Sequence, residues 1–103
     1  MEYNVIITKP ARIDITGIGR YIAKELHAPE AAAALAEDIY NAAADLKYMP
    51  KRFPHVSDER LAHQGIRLIP VKNYLIFYNV DDIRHIVTVV RVLYGRRDWV
   101  NLM

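Results

Sequence analysis

The sequence contains no cysteine, a single serine (Ser57) and only four glycines among its 103 residues. Without cysteine there is neither a disulfide framework nor thiolate chemistry, a composition that suits a reducing cytoplasm. One serine leaves no defensible serine–histidine nucleophile. Gly17 and Gly19 fall inside a predicted helix, so they do not form a phosphate-binding loop after a strand. The sequence therefore argues against the commonest covalent and nucleotide-binding enzymes.

Long apolar runs and metal-ligand spacings are also missing. No apolar stretch approaches the length that spans a membrane. The first eight residues lack the basic region and long apolar core of a secretory signal. The four histidines show no spacing such as His-x-x-x-His, so we expect no metal and no cofactor. We expect a cytoplasmic protein with no membrane partner, folded as one domain over residues 1–103.

Charge is distributed unevenly along the chain. Residues 1–46 hold four basic and seven acidic residues, a net charge of −3, whereas residues 47–103 hold ten and five, a net charge of +5. The hydrophobic fraction of 52% and charged fraction of 25% are ordinary for a globular protein. The second half of the chain is therefore the basic half, which permits a polyanionic partner.

Apolar periodicity predicts the order strand, two helices, three strands. Strands are predicted over residues 3–8, 66–71, 74–80 and 83–94, and short turns join the last three into an antiparallel meander. Helices are predicted from Pro10 to Leu26 and from Pro29 to about Tyr48, and the two glycines of the first would let a neighbouring backbone approach. Residues 56–64 are expected to be irregular. This order predicts an α+β fold with a helix hairpin on one face of a mainly antiparallel sheet.

The strongest strand covers residues 86–94 and is apolar on both faces, so it belongs in the middle of the sheet. Arg91 interrupts its apolar run, and Arg96 and Arg97 follow it directly. Two interpretations remain open. Arg91 pairs with a carboxylate at the edge of the core, or these arginines and Tyr94 form an anion-binding rim.

The sheet face away from the hairpin is predicted to carry exposed apolar groups unless the residues after the last strand fold over it. Such a patch usually marks a binding surface. Its predicted binding residues combine an apolar centre with basic neighbours: Lys51, Arg52, Leu75, Phe77, Arg91, Arg96, Arg97 and Trp99.

Metal-free cleavage of RNA is a further possibility. It requires proton transfer at the 2′-hydroxyl and the leaving 5′-oxygen, with positive charge around the phosphorus. His55, His63 and Tyr94 are candidates for proton transfer, and the lysine and arginines at 51, 52, 67, 91, 96 and 97 are candidates for charge. For His55 and His63 the competing interpretation is a solvated loop histidine.

Several segments resemble the RelE/ParE family of toxins. They are Tyr3-Asn-Val-Ile-Ile-Thr, Tyr21-Ile-Ala, Leu46-Lys-Tyr-Met-Pro, Arg67-Leu-Ile-Pro-Val-Lys-Asn-Tyr-Leu-Ile-Phe-Tyr and Val90-Arg-Val-Leu-Tyr-Gly-Arg-Arg-Asp. The resemblance spans essentially the whole chain. It implies the toxin of a type II toxin–antitoxin system with a β-α-α-β-β-β fold. A small antitoxin, whose extended or helical segment covers the toxin, would neutralise it in a hetero-oligomer.

The family divides by activity. RelE-type members cut messenger RNA on the ribosome, which for this sequence implies the catalytic set Arg67, Arg91, Tyr94, Arg96 and Arg97. ParE-type members poison DNA gyrase. Here Leu75 and Ile69 stand where RelE-type toxins carry basic residues, and Tyr94 stands where histidine is common. The sequence therefore favours the ParE-like branch, with the ribosome and its messenger as the alternative target.

Overall fold

The computed structural model describes residues 2–103 and builds one four-stranded sheet with helices on both faces. Two 3₁₀ turns, Asp45–Lys47 and Pro50–Arg52, follow the second long helix. The other elements, in chain order, are β1 (Asn4–Ile7), α1 (Lys9–Lys24), α2 (Pro29–Ala44), α3 (Glu59–His63), β2 (Arg67–Val71), β3 (Tyr74–Asp81), β4 (Ile86–Tyr94) and α4 (Trp99–Leu102).

The strand order in the sheet is β1-β4-β3-β2. The last three strands form the predicted antiparallel meander, and β1 pairs with β4 in parallel, with Asn4 opposite Ile86. The predicted α+β fold is confirmed, and β4 lies inside the sheet as its two apolar faces indicate. Its predicted start at residue 83 is wrong, because Ile83 lies in the turn before the strand with its side chain 95% exposed.

The two long helices cover one face of the sheet. The Thr8 side chain caps α1 by accepting a hydrogen bond from the Ala11 backbone N–H, 3.3 Å away. Both helices end earlier than predicted: α1 stops at Lys24, and α2 gives way at Ala44 to a 3₁₀ turn. The main core between hairpin and sheet includes Ala11, Ile15, Ile22, Leu35, Ile39, Leu46, Ile76, Tyr78, Val87, Val89 and Val92.

The opposite face carries a second, smaller core. Residues 56–64, predicted to be irregular, contain α3, whose start is capped by Asp58 accepting from the Leu61 backbone N–H at 3.0 Å. Leu61 is only 1% exposed and packs with Val56 and Ile66 against β3 and β4. A five-residue helix is too short for its periodicity to show in the sequence, but the Asp58 cap was a usable signal.

The expectation of an open apolar patch on this second face is wrong. Phe77 is 0% exposed, and the Trp99 ring of α4 lies 5.1 Å from the Phe77 ring, centroid to centroid. Leu75, Leu102 and Met103 pack into the same cluster. The alternative that the sequence left open, in which the residues after β4 fold over the sheet, is the one observed.

Tyr78 joins the main core to the loop that precedes α3. Its side chain is fully buried, and its hydroxyl donates to the Pro50 carbonyl oxygen at 2.6 Å. Burial raises the pKa of Tyr78 above its ordinary value, against the opposing effect of Arg67 and Arg52. The neutral hydroxyl is therefore part of the folded state.

Replacing Tyr78 with phenylalanine should lower the free energy of unfolding by about 1–2 kcal/mol, because the Pro50 carbonyl loses its donor. Since the folded pKa is raised, the stabilisation from neutral Tyr78 is complete below pH of about 10 and is lost as pH rises through the folded pKa. Urea unfolding between pH 7 and 11 should show a smaller alkaline loss in the variant. The exposed Tyr48→Phe variant is the control, and an equal alkaline loss in the parent and in Tyr78→Phe would contradict the assignment.

Candidate functional site

A groove of about 760 Å³ lies between α1 and the end of β4. One wall is the exposed side of α1, and the floor is formed by the strand pair β3 and β4 where it meets the turn after β2. Its lining consists of Ile13, Asp14, Gly17, Ile18, Tyr21, Leu26, Asn73, Tyr74, Val92, Leu93, Tyr94 and Arg97.

The α1 wall of the groove, formed by α1 and by Leu26 just beyond its end, exposes large apolar side chains. Ile13, Tyr21 and Leu26 are 61%, 54% and 56% exposed, although residues of these types are usually buried. Gly17 lies between Ile13 and Tyr21 on successive turns, and no atom lies within 4 Å of the position that its Cβ would occupy. The expected close approach of a neighbouring backbone at Gly17 and Gly19 is therefore wrong, and at Gly17 the missing side chain widens the groove.

Two tyrosines line the strand side of the groove. The rings of Tyr74 and Tyr94 meet edge to face, with centroids 5.6 Å apart. Burial, together with the neighbouring hydroxyls of Tyr94 and Tyr21, raises the pKa of Tyr74 above its ordinary value. The groove is therefore an apolar, aromatic surface at neutral pH, a lining suited to the side chains of a peptide.

Arg91 is held inside the fold. Its Nε and Nη2 donate to the Asp14 carboxylate at 2.7 and 3.0 Å, and its Nη1 donates to the Leu102 carbonyl oxygen at 3.0 Å. Asp14 also accepts from the Val92 backbone N–H at 2.9 Å. The hydrogen bond to Asp14 raises the pKa of Arg91. Of the two interpretations of Arg91, pairing with a carboxylate at the edge of the core is confirmed.

Arg67 is likewise engaged by the backbone. Its Nη1 donates to the carbonyl oxygens of Lys51 and Phe53, at 3.2 and 2.5 Å. These bonds fix the loop that begins at Met49, a residue with a left-handed φ of 45°. Arg67 therefore has a structural task in the loop between α2 and α3.

Lys51 and Arg52 form ion pairs at the surface. Lys51 Nζ lies 3.0 Å from Asp82, and Arg52 Nη2 lies 2.8 Å from Asp45. The bonds from Lys51 and from the Tyr3 hydroxyl lower the pKa of Asp82. The interpretation of this basic run as a solvated surface fits these pairs, and neither residue lines the groove.

The arginines after β4 remain available to a partner. Arg96 and Arg97 are both exposed, and within residues 2–103 neither is paired with a carboxylate. Arg97 and Tyr94 line the groove, whereas Trp99 is packed on Phe77. Of the predicted site residues, the structure therefore brings together Tyr94 and Arg97, and it separates Arg67, Lys51 and Arg52 from them.

The histidines considered for proton transfer do not line the groove. His55 pairs through its backbone with Arg67 as an isolated bridge, and His63 is the last residue of α3. Over residues 2–103 no group of three or more histidine and carboxylate side chains is placed to hold a metal ion. In the same range no helix has both the length and the apolar character needed to cross a membrane.

Sequence reasoning missed the α1 wall of the groove, formed by Ile13, Gly17, Tyr21 and Leu26. The signal was weak. The predicted helix ran to Leu26, whereas α1 stops at Lys24, and Ile13 and Tyr21 are apolar residues outside the buried stripe of Ala11, Ile15 and Ile22. Only the packing of α1 against β4 shows which apolar residues of the helix stay outside the core.

Comparison with solved structures shows the same fold in toxins of known systems. The chromosomal ParDE toxin–antitoxin system of P. aeruginosa matches with a TM-score of 0.73 and 17% identity, covering 90% of this chain and 96% of that chain. The toxin–antitoxin complex RelBE2 of Mycobacterium tuberculosis matches with a TM-score of 0.61 and 23% identity, covering 91% and 99%. A mutant of the E. coli toxin RelE in its free state matches with a TM-score of 0.68 and 15% identity, covering 99% and 93%.

Comparison with curated protein sequences gives no match. A family model, described as the ParE toxin of the type II toxin–antitoxin system parDE, matches residues 5–99. That match includes both walls of the groove, the Arg91–Asp14 pair and the two exposed arginines. The chain belongs to the ParE toxin family of type II toxin–antitoxin systems.

Proposed function

We propose that this toxin arrests growth by binding DNA gyrase or a similar nucleoprotein in the cytoplasm, as the ParE-like resemblance implies. The observation that supports it best is the engagement of Arg67 and Arg91. Two of the five residues of the RelE-like catalytic set are bonded within the fold, one to a carboxylate and the other to loop carbonyls. A toxin that acts by binding does not need those charges at its surface.

The groove is the proposed site of the antitoxin, replacing the sheet face that α3 and α4 cover. Its centre is apolar, with Ile13, Tyr21 and Leu26 exposed, and Arg97 lies in its lining. A segment of the antitoxin with leucine or phenylalanine anchors and acidic neighbours fits this surface, because buried anchors supply affinity and arginine fixes register by paired hydrogen bonds. The ParDE and RelBE2 neighbours, both toxin–antitoxin systems, support a partner of this kind.

RelE-like cleavage of messenger RNA on the ribosome is the second candidate. Tyr94, Arg96 and Arg97 occur within four residues, and two of them line one groove. That arrangement keeps a tyrosine and an arginine available to a phosphodiester, although the histidines lie elsewhere. A third possibility is that the chain has kept the fold and lost toxicity. Growth arrest on expression without the antitoxin would exclude it.

Expression of the chain without antitoxin should stop DNA replication before it stops protein synthesis. Purified toxin should inhibit supercoiling by gyrase, and primer extension should show that it leaves translated messenger RNA intact.

Replacing Arg97 with glutamate should reduce the affinity for the antitoxin by about tenfold, about 1.4 kcal/mol, and should reduce the dependence of that affinity on salt. Arg84→Glu is the matched control, because Arg84 is exposed in the turn between β3 and β4.

The opposite pattern in the first two assays, cut messenger RNA and unaffected gyrase, would replace the proposal with the RelE-like alternative. Under that alternative Arg96→Ala should abolish cleavage. Equal antitoxin affinity for Arg97→Glu and the parent would move the antitoxin site away from the end of β4.

A further inference from the structure

The cations that lack a carboxylate partner are concentrated in two places. Of the fourteen lysines and arginines, six form ion pairs within residues 2–103 and eight do not. Six of these eight are exposed in two places: Lys9, Arg12, Arg20 and Lys24 on α1, and Arg96 and Arg97 after β4. The other two, Arg60 and Arg67, donate to backbone carbonyls. The second half of the chain is the more basic by sequence, but most of the free positive charge lies on α1.

The four cations of α1 form one stripe, which we call the basic stripe of α1. At 100° per residue, positions 9, 12, 20 and 24 fall within about 120° of one another, on the side opposite the buried residues Ala11, Ile15 and Ile22. The stripe is about 22 Å long at 1.5 Å per residue. The only acidic residue of α1, Asp14, faces the groove and is paired with Arg91.

A shallow depression of about 390 Å³ lies along this stripe. Its lining is Lys9, Arg12 and Arg20 together with Ile13, Gly17 and Thr16, which carries a hydroxyl donor. Arg12 also donates through Nε to the Ile7 carbonyl at 3.1 Å, which limits the freedom of its guanidinium group. The depression therefore presents several cationic donors and a hydroxyl to a single anionic group.

We propose that the basic stripe of α1 binds the phosphodiester backbone of a nucleic-acid duplex. Phosphate oxygens are the usual acceptors for arginine, lysine and threonine side chains on such a surface. An acidic peptide with several apolar anchors is the poorer fit, because Ile13 is the single large apolar residue that lines the depression, whereas Tyr21 and Leu26 line the groove. The contacts are to the backbone alone, so binding carries no base-sequence preference.

This inference does not depend on the identity of the toxin's target. If the target is DNA gyrase, the stripe would contact the DNA that the enzyme holds. If the target is the ribosome, the stripe would contact RNA. Duplex DNA and duplex RNA are therefore separate arms of one experiment. Binding of either that is lost when the stripe is neutralised supports the stripe, and the ratio of the two affinities shows which nucleic acid it prefers.

The test is fluorescence anisotropy with labelled 20-base-pair DNA and RNA duplexes and toxin made by cell-free synthesis. With four phosphate contacts, we expect the logarithm of the association constant to fall linearly with the logarithm of the salt concentration, with a slope of about −3.6. The variant K9Q/R12Q/R20Q/K24Q should lose at least tenfold in affinity at low salt, and its slope should approach zero. Because the Arg12 bond could contribute to the fold, R20Q/K24Q serves as a second variant, with about half the loss in slope.

The matched control is K47Q/K51Q/K72Q/R84Q, which removes the same formal charge from surface cations that are already paired. It should bind as the parent does. Equal weakening of both quadruple variants would show an effect of net charge alone and would overturn the stripe. Parent-like binding by K9Q/R12Q/R20Q/K24Q, or binding of polyglutamate or phosphatidylglycerol vesicles in preference to both duplexes, would also overturn it.

Discussion

Replacing Gly17 with tryptophan should weaken binding of the antitoxin by about a hundredfold, close to 3 kcal/mol, without destabilising the toxin. Gly17 lies in the α1 wall of the groove, and nothing lies within 4 Å of its Cβ position. An indole there would occupy the space between Ile13 and Tyr21 that we assign to an apolar anchor of the antitoxin. Because glycine costs a helix interior about 1 kcal/mol relative to alanine, the substitution does not work against α1.

Isothermal titration with the antitoxin would measure the effect, and thermal unfolding would show that the variant folds. Gly17→Ala is the size control and should bind as the parent does, with a slightly higher Tm. Ala34→Trp adds the same indole at an exposed position of α2, away from the groove. If Gly17→Trp and Ala34→Trp both bind the antitoxin as tightly as the parent does, the antitoxin occupies a surface other than the groove.

Replacing Asp14 with alanine should lower the free energy of unfolding by about 3 kcal/mol, because the Arg91 charge is left without its partner in a partly buried site. Asp14 is 12% exposed and Arg91 29% exposed, so solvent replaces little of the lost interaction. The Val92 backbone N–H loses its acceptor in the same change. The substitution therefore weakens the attachment of α1 to β4 and to the residues after β4.

Urea unfolding of Asp14→Ala, with Asp38→Ala as the matched control, would measure this effect. Asp38 lies 3.5 Å from Lys72 in a solvent-exposed pair, so its removal should change stability very little. The double variant Asp14→Leu with Arg91→Met should recover much of the loss, since an apolar pair replaces a buried ionic one. If Asp14→Ala and Asp38→Ala are equally stable, the pairing of Arg91 with Asp14 does not stabilise the fold.

The same double variant separates a structural Arg91 from a catalytic one. If Arg91 acts only within the fold, the folded double variant should arrest growth as the parent does. Loss of toxicity in a variant that is folded and still binds the antitoxin would return Arg91 to the catalytic set.

The strands and the helix hairpin could be predicted because their patterns are local and repeat over many residues. Seven of the nine residues from Ile86 to Tyr94 are apolar, on both faces of the strand, and this pattern indicates a central strand wherever their neighbours lie. Pro10 and Pro29 mark the first turns of the two long helices, where proline is tolerated. The early end of α2 at Ala44 could not be read from the pattern, because the apolar stripe continues through Leu46 into a 3₁₀ turn.

The candidate site was harder to predict because its decisive contacts join distant residues. Arg91 and Asp14 are 77 positions apart, and nothing in either local segment indicates their pairing. Whether the second sheet face is exposed or covered depends on the packing of the four-residue helix α4 on Phe77, and a local sequence pattern does not indicate that tertiary contact. The position of Arg97 shortly after β4 was enough to predict it as a rim residue. The opposite wall of the groove is formed by α1, and that wall could not be predicted from the segment around Arg97.

The parallel pairing of β1 with β4 has a consequence for the order of events during synthesis. The Thr8 hydroxyl donates to the Val89 carbonyl 81 residues later at 2.9 Å, and β1 finds its strand partner only in β4. Because a nascent chain emerges from its first residue onward, the hairpin has no complete sheet to pack on until β4 has been made. The groove itself needs both α1 and β4, so the antitoxin site that we propose is not assembled in a nascent toxin until that last strand has been made.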